Sequence, residues 1–204
     1  MLSKLDLSNA ARAVSSLDEQ KAVAIDCLSR AECEECIELA EALPYRRARP
    51  VTGQSTSPVE QDFELNYEIP DTHFFWTLTR FIEQAIGPVM ASHRDQRGLP
   101  EEPLKLNDLI VQRYPPGCRG ITPHRDHLSY RLVVLILLLS GDGEFRVHAS
   151  RETSEGIVIP FQPGQMLLMG APGFTQDFHR PFHSVCGVSQ TRRTVGLRYD
   201  ARII

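Results

Sequence analysis

The sequence predicts a mainly β protein, a sandwich or barrel preceded by helices. Three observations carry this. From Leu106 onward, short apolar and β-branched runs alternate with Gly and Pro turn signals: "LIVQRY", "YRLVVLILLLS", "EFRVH", "GIVIPF", "MLLMG", "HSVCGV" and "TRRTVGLRYD". Ahead of that point, apolar residues recur at helical spacing instead. The chain has 204 residues, 42% of them hydrophobic, enough to bury one substantial core. The expected layout is one domain, with residues 1–105 as a helical, lid and supporting segment and residues 106–204 as the β core.

Residues 1–22 are polar and weakly periodic, a short helix or a frayed tail, and "AVAIDCLS" (22–29) reads as a strand and turn. Ser29 then stands as an N-cap before acids and an apolar spacing of Cys33, Cys36, Ile37, Ala40 and Leu43, which predicts a helix. Residues 48–62 form a polar stretch expected as a loop or flap. Residues 71–93 predict a strong amphipathic helix with Asp71 as N-cap, and "RDQRGLPEEP" a linker. Beyond it, "SGDGEFRVH" predicts a hairpin on an Asp-Gly turn.

Composition narrows the function classes. A net charge of −4 gives no global basic field, so any nucleic-acid contact would need a local patch. "PYRRARP" (44–50) is one such basic cluster, with a solvated patch as its ordinary meaning. Five cysteines without a regular framework point to a reducing compartment, and "CEEC" (33–36) reads as half-buried helix face rather than a metal pair. The N-terminus lacks a secretory pattern, and the longest apolar run, "LVVLILLL", is far short of the roughly 20 residues a spanning helix needs. The expectation is a cytoplasmic protein with no membrane partner.

The chemistry concentrates in "ITPHRDH" (121–127). Residues i and i+2 of a strand share a face, so His124 and Asp126 are expected side by side. Two imidazoles and one carboxylate form the facial triad that suits Fe(II) while leaving coordination positions open. The second imidazole must come from a later strand, and His183 in "RPFHSV" is the best placed; His179, His127 and His148 are rivals. Nine residues after His183, "RRTVGLR" puts Arg192, Thr194, Gly196 and Arg198 on one strand face, with Val195 and Leu197 behind. A guanidinium beside a hydroxyl is a carboxylate receptor, and a solvated face is the alternative.

This ordered set of HxD, distant His and Arg-x-Thr resembles the Fe(II)/2-oxoglutarate-dependent dioxygenase superfamily over roughly residues 106–200. Around "LIVQRYPPGCRGITPHRD" and the two arginines six apart it is similar to AlkB-type demethylases, with Gln112 and Thr194 where that group has asparagines. The resemblance implies a double-stranded β-helix, a jelly-roll or cupin-like barrel, with the N-terminal helices packed on one sheet. It implies Fe(II) on His124, Asp126 and His183 and 2-oxoglutarate as co-substrate beside O2. The far carboxylate would sit on Arg192 with Thr194 and Tyr114, while Arg198 and Gln112 steady the other end.

The implied activity is an oxidoreductase hydroxylating a C–H bond of a small molecule such as an amino acid, with 2-oxoglutarate passing to succinate and CO2. Oxidative demethylation of nucleic-acid bases, a prolyl or protein side-chain hydroxylase, and a non-catalytic metal-binding barrel stand as alternatives. Candidate substrate contacts are Arg131, Trp76 and Arg119, together with Tyr130, Arg146, the polar 48–62 loop and the stretch 61–76. Trp76 also fits a core position, and Arg131 also fits a strand-edge cap.

Overall fold

The computed structural model describes residues 2–152 and 155–203. Helix α1 (Leu7–Gln20) begins on Asp6, whose side chain accepts from the Ser8 amide, and it buries Ala10, Ala13, Val14 and Leu17. The segment expected to be short or frayed is thus a docked helix. Strand β1 (Ala22–Asp26) follows, then α2 (Arg30–Glu41), whose Ser29 and Glu32 form a reciprocal capping box. Helix α3 (Phe74–Asp95) starts later than the Asp71 cap expected from sequence: the backbone turns at Pro70–His73, and His73 is the cap.

The stretch expected as a polar flap is instead a hairpin of β3 (Val51–Gln54) and β4 (Ser57–Asp62). Its polarity misled because β3 lies at a sheet edge, where one face and one side meet water. Short strands β2 (Arg46–Arg47) and β5 (Glu64–Asn66) complete the first half. The second half supplies β6 (Asp108–Tyr114), β7 (Gly120–His124), β8 (Tyr130–Ser140), β9 (Glu144–His148), β10 (Ile157–Ile159), β11 (Gln165–Gly170), β12 (Phe182–Cys186) and β13 (Arg192–Asp200).

Two antiparallel sheets result, one ordered β1-β11-β8-β13-β6-β5-β2 and the other β10-β9-β12-β7-β4-β3. From β6 to β13 the chain passes back and forth between them, the winding of a jelly roll. The "SGDG" turn therefore does not close a hairpin. It carries the chain from β8 in one sheet to β9 in the other, with Gly141 and Gly143 at φ +83° and +97°. A Cβ on Gly141 would lie 2.4 Å from the Thr191 carbonyl oxygen, so only glycine fits there.

The apolar run of β8 is explained by burial on both faces. Val133, Leu135, Leu137 and Leu139 join the core under the helices, with Phe75, Leu78, Ile82, Val195 and Leu197. Val134 and Leu138 face the other way, into the space between the sheets, with Ile110, Phe145 and Val185. The helices thus seal one face of the larger sheet, and the opposite face of β6, β8 and β13 is left to line a cavity. Cys27, Cys33 and Cys36 are buried in the helical core, and burial raises all three thiol pKa values. No helix among the described residues is long and apolar enough to cross a membrane.

Candidate metal centre

Strand β7 ends at His124, and Asp126 lies just beyond it rather than within the strand. Strand β12 is paired with β7 so that His183 faces His124 directly. The ligand atoms of His124, Asp126 and His183 all lie within 4.8 Å of one another. His183 Nε2 stands 3.9 Å from Asp126 Oδ2, and the two imidazole centroids are 4.2 Å apart. His124 Nδ1 donates to the Thr122 carbonyl at 2.9 Å, which leaves Nε2 as its lone-pair donor. Phe145 stacks on the His183 ring at 5.5 Å and 15°, fixing its plane. The rivals stay outside this group, although His127 borders the same cavity. His148 bonds the Ser184 hydroxyl, His127 bonds Ser129, and His179 lies in the loop before β12.

Burial, and then the neighbouring His183, hold the His124 pKa well below its ordinary 6.5. The imidazole is therefore held neutral, the state a metal requires. The sign for stability follows: the unfolded chain takes up this proton on acidification and the folded protein does not. Metal-free protein is expected to lose stability as pH falls through 6.5, a loss that His124→Gln should reduce when unfolding midpoints are compared across pH.

The triad opens into a cavity of about 400 Å³ between the sheets. Arg192, Thr194, Gly196 and Arg198 all line it, as strand alternation predicts, while Arg193 points away to pair with Glu41 and Ser140. Arg192 is only 1% exposed. Its Nη1 donates to the carbonyls of Asp142 and Gly143 at 3.0 and 3.4 Å, its guanidinium lies 5.3 Å from the Phe161 ring centroid, and Nε has no partner. Among the described residues it makes no ion pair, and burial lowers its pKa. The Asp142 charge favours the Arg192 cation but forms no ion pair with it, and that carboxylate instead accepts from the Ser189 and Gln190 amides at 2.8 Å.

Tyr114 faces Arg192 across the β6–β13 ladder, and Gln112 faces Thr194. Gln112 Nε2 donates to Tyr114 Oη at 3.2 Å, and Thr194 Oγ1 donates to Gln112 Oε1 at 3.3 Å. Gln112 thus belongs to the Arg192 end, not with Arg198 as expected, because the ladder register places it beside Thr194. Arg198 sits toward the other end, donating to Tyr130 Oη at 2.8 Å and pairing with Asp108 at 3.3 Å, with Nη2 unpartnered.

The expected substrate contacts divide. Tyr130 lines the cavity. Arg131 does not: it makes a bidentate pair with Glu102 at 2.8 and 2.7 Å, outside the barrel. The Trp76 indole donates to the Ile69 carbonyl at 3.1 Å and packs against the helical core. Arg119 is an exposed side chain paired with Glu60 at 2.9 Å, and Arg146 pairs with Glu144. The 61–76 stretch contributes through strand alternation instead, with Gln61, Phe63, Leu65 and Tyr67 facing the cavity. Sequence reading missed Phe145, Phe161 and Asp108, whose own runs carry no chemical signature.

No family model and no curated protein matches the chain by sequence. Solved structures do match by shape. An oxidoreductase of the 2OG-Fe(II) oxygenase family from Burkholderia pseudomallei superposes with TM-score 0.62 at 15% identity, covering 98% of this chain and 93% of that one. The fold is that of the Fe(II)/2-oxoglutarate oxygenases. A Trichoplax adhaerens prolyl hydroxylase, solved with a hypoxia inducible factor peptide fragment, gives TM-score 0.67 at 14% identity over 96% and 92% of the two chains. A Pseudomonas putida prolyl-4-hydroxylase gives 0.60 at 16% over 94% and 98%. The oxygenase fold makes the predicted double-stranded β-helix a structural fact: β6, β8, β11 and β13 form one wall, and β7, β9, β10 and β12 the other.

The donor set fits iron. Two neutral imidazoles and a carboxylate converge from one side, and a cavity stands where further ligands would enter.

Proposed function

We propose that this chain is an Fe(II)- and 2-oxoglutarate-dependent oxygenase that hydroxylates a C–H bond of an amino-acid residue, free or within a peptide. The observation that carries this is Arg192, a buried guanidinium without a carboxylate in the same cavity as the His124–Asp126–His183 group. A desolvated cation that makes no ion pair among the described residues is costly to maintain, and a cavity beside it gives an anion room to enter.

His124, Asp126 and His183 would hold the iron. Arg192 would take the far carboxylate of 2-oxoglutarate through its unpartnered edge, with the Tyr114 and Thr194 hydroxyls completing the receptor and Gln112 orienting both. Arg198, with one free nitrogen and a location near Asp126, would serve the opposite end of the cavity. When bound, iron and 2-oxoglutarate would, with O2 as oxidant, supply oxidative decarboxylation to succinate and CO2, one oxygen atom entering succinate and the other the substrate C–H bond. The chain's own contribution is placement and dryness. Phe63, stacked on Tyr114 at 4.7 Å, and Phe145 wall the cavity in carbon.

The presence of prolyl hydroxylases among the structural neighbours, one of them with a bound peptide, supports the peptide form over the free amino acid. Succinate release is the test. Protein supplied with Fe(II), ascorbate and 2-oxoglutarate should form succinate faster with a member of an amino-acid or peptide panel than without one. Stimulation by methylated single-stranded DNA alone would favour the demethylase reading, and no 2-oxoglutarate consumption at all would favour a non-catalytic barrel.

A further inference from the structure

Three arginines surround the metal centre outside the cavity floor, and the proposed function gives them no part. Arg125 lies between the ligands His124 and Asp126 and borders the cavity. Its guanidinium stands 4.1 Å from the ring centroid of Phe182, the residue before His183. Arg151 approaches the same ring at 5.4 Å and donates to the carbonyls of Pro123 and Pro58 at 3.1 and 3.3 Å. Arg180 donates to the Asp126 carbonyl. Burial and the like charge of Arg125 lower the Arg180 pKa, and the Asp126 carboxylate opposes them.

All three are positioned by neutral partners, carbonyls and an aromatic face. None has an ion pair among the described residues. Arg125 is exposed, while Arg151 and Arg180 are partly buried; Arg94, Arg113, Arg131, Arg193 and Arg198 are partly or fully buried and do have one. In a chain of net charge −4, this leaves local positive potential at the entrance to the site. Preorganised guanidiniums without an ion pair are receptors for carboxylates or phosphates.

We infer that Arg125, Arg151 and Arg180 form an anion-binding rim that selects a peptide substrate with acidic side chains flanking the oxidised residue. This rests on the oxygenase reading and names the substrate class for it. A molecule held within the cavity reaches only Arg125, since Arg151 and Arg180 stand outside its lining. An occupant engaging all three must extend over the rim, as a chain does. A long polyanion such as a nucleic acid would meet the protein's negative remainder beyond this patch, whereas a short acidic segment needs the patch alone.

The test uses full-length protein with Fe(II) and 2-oxoglutarate under argon, read by fluorescence anisotropy. The probes are a labelled peptide alternating Glu with Ala and Pro, its Lys counterpart, and an oligothymidine of equal length. The Glu peptide should bind, weaken with salt, and lose roughly tenfold or more in affinity in Arg125→Gln/Arg151→Gln/Arg180→Gln. Arg125→Gln alone should show part of the loss should the triple variant fold poorly. Equal binding of the Glu and Lys peptides, no binding of either, full affinity in the variants, or tighter binding of oligothymidine would overturn the proposal. The same samples report 2-oxoglutarate binding by absorbance. Failure there in the wild type counts against the oxygenase reading, and the Glu-peptide comparison still decides the rim.

Discussion

Arg192→Met is expected to remove 2-oxoglutarate binding while leaving the apoprotein about as stable as wild type. The loss should be about 2–5 kcal/mol of binding free energy, the range for truncating one partner of a buried, hydrogen-bonded charge pair. Stability should hold because two effects oppose. Methionine leaves the Asp142 and Gly143 carbonyls without a donor, which costs about 1–3 kcal/mol each at most. It also removes a desolvated charge that makes no ion pair among the described residues, which relieves a cost of opposite sign. Calorimetric titration of 2-oxoglutarate, run beside urea unfolding, separates the readings. A purely structural arginine would show the reverse, large destabilisation with unchanged co-substrate affinity. Arg193→Met should leave 2-oxoglutarate binding alone, because that side chain faces Glu41 and Ser140 on the other side of β13.

The second large effect is expected from the metal ligands. Altering groups that merely orient ligands costs about 10–100-fold in metal affinity, so Asp126→Ala and His183→Ala, which remove donors outright, should each lose more than that. The two should differ in their side effects. His183 is nearly buried and stacked on Phe145, so its truncation opens space in the core and lowers stability. Asp126 lies past the end of β7 with its side chain partly open, so its loss should leave the fold intact and isolate the metal effect. Equilibrium titration with Fe(II) under argon, paired with thermal melts, checks both.

Much of this site was legible in the chain because its chemistry is local or strictly periodic. His124 and Asp126 are neighbours in sequence, and period-two alternation along β13 alone puts Arg192, Thr194 and Arg198 on one face. The same alternation hides in residues 61–67, where Gln61 of β4, Phe63 between the strands, Leu65 of β5 and Tyr67 just after it face the cavity from a stretch too short and polar to announce a strand. The failures come from tertiary placement. "SGDG" has hairpin chemistry, but the glycines serve a crossing between sheets, and nothing in four residues tells the two apart. Arg131 sits before the most apolar strand and invited a substrate role. Its partner Glu102 lies in the linker, 29 positions back, where only folding brings the charges together. Gln112 stands beside Thr194 and Tyr114 rather than beside Arg198 because the β6–β13 register, not either strand alone, sets its neighbours.

Addition of Fe(II) and then 2-oxoglutarate to the apoprotein under argon tests the central claim most directly. A weak visible charge-transfer band should grow with the co-substrate in the wild type and be absent from Asp126→Ala. A wild-type protein that stays colourless at saturating concentrations of both, or an Asp126→Ala protein that develops the same band, would contradict the assignment of these three side chains to one iron.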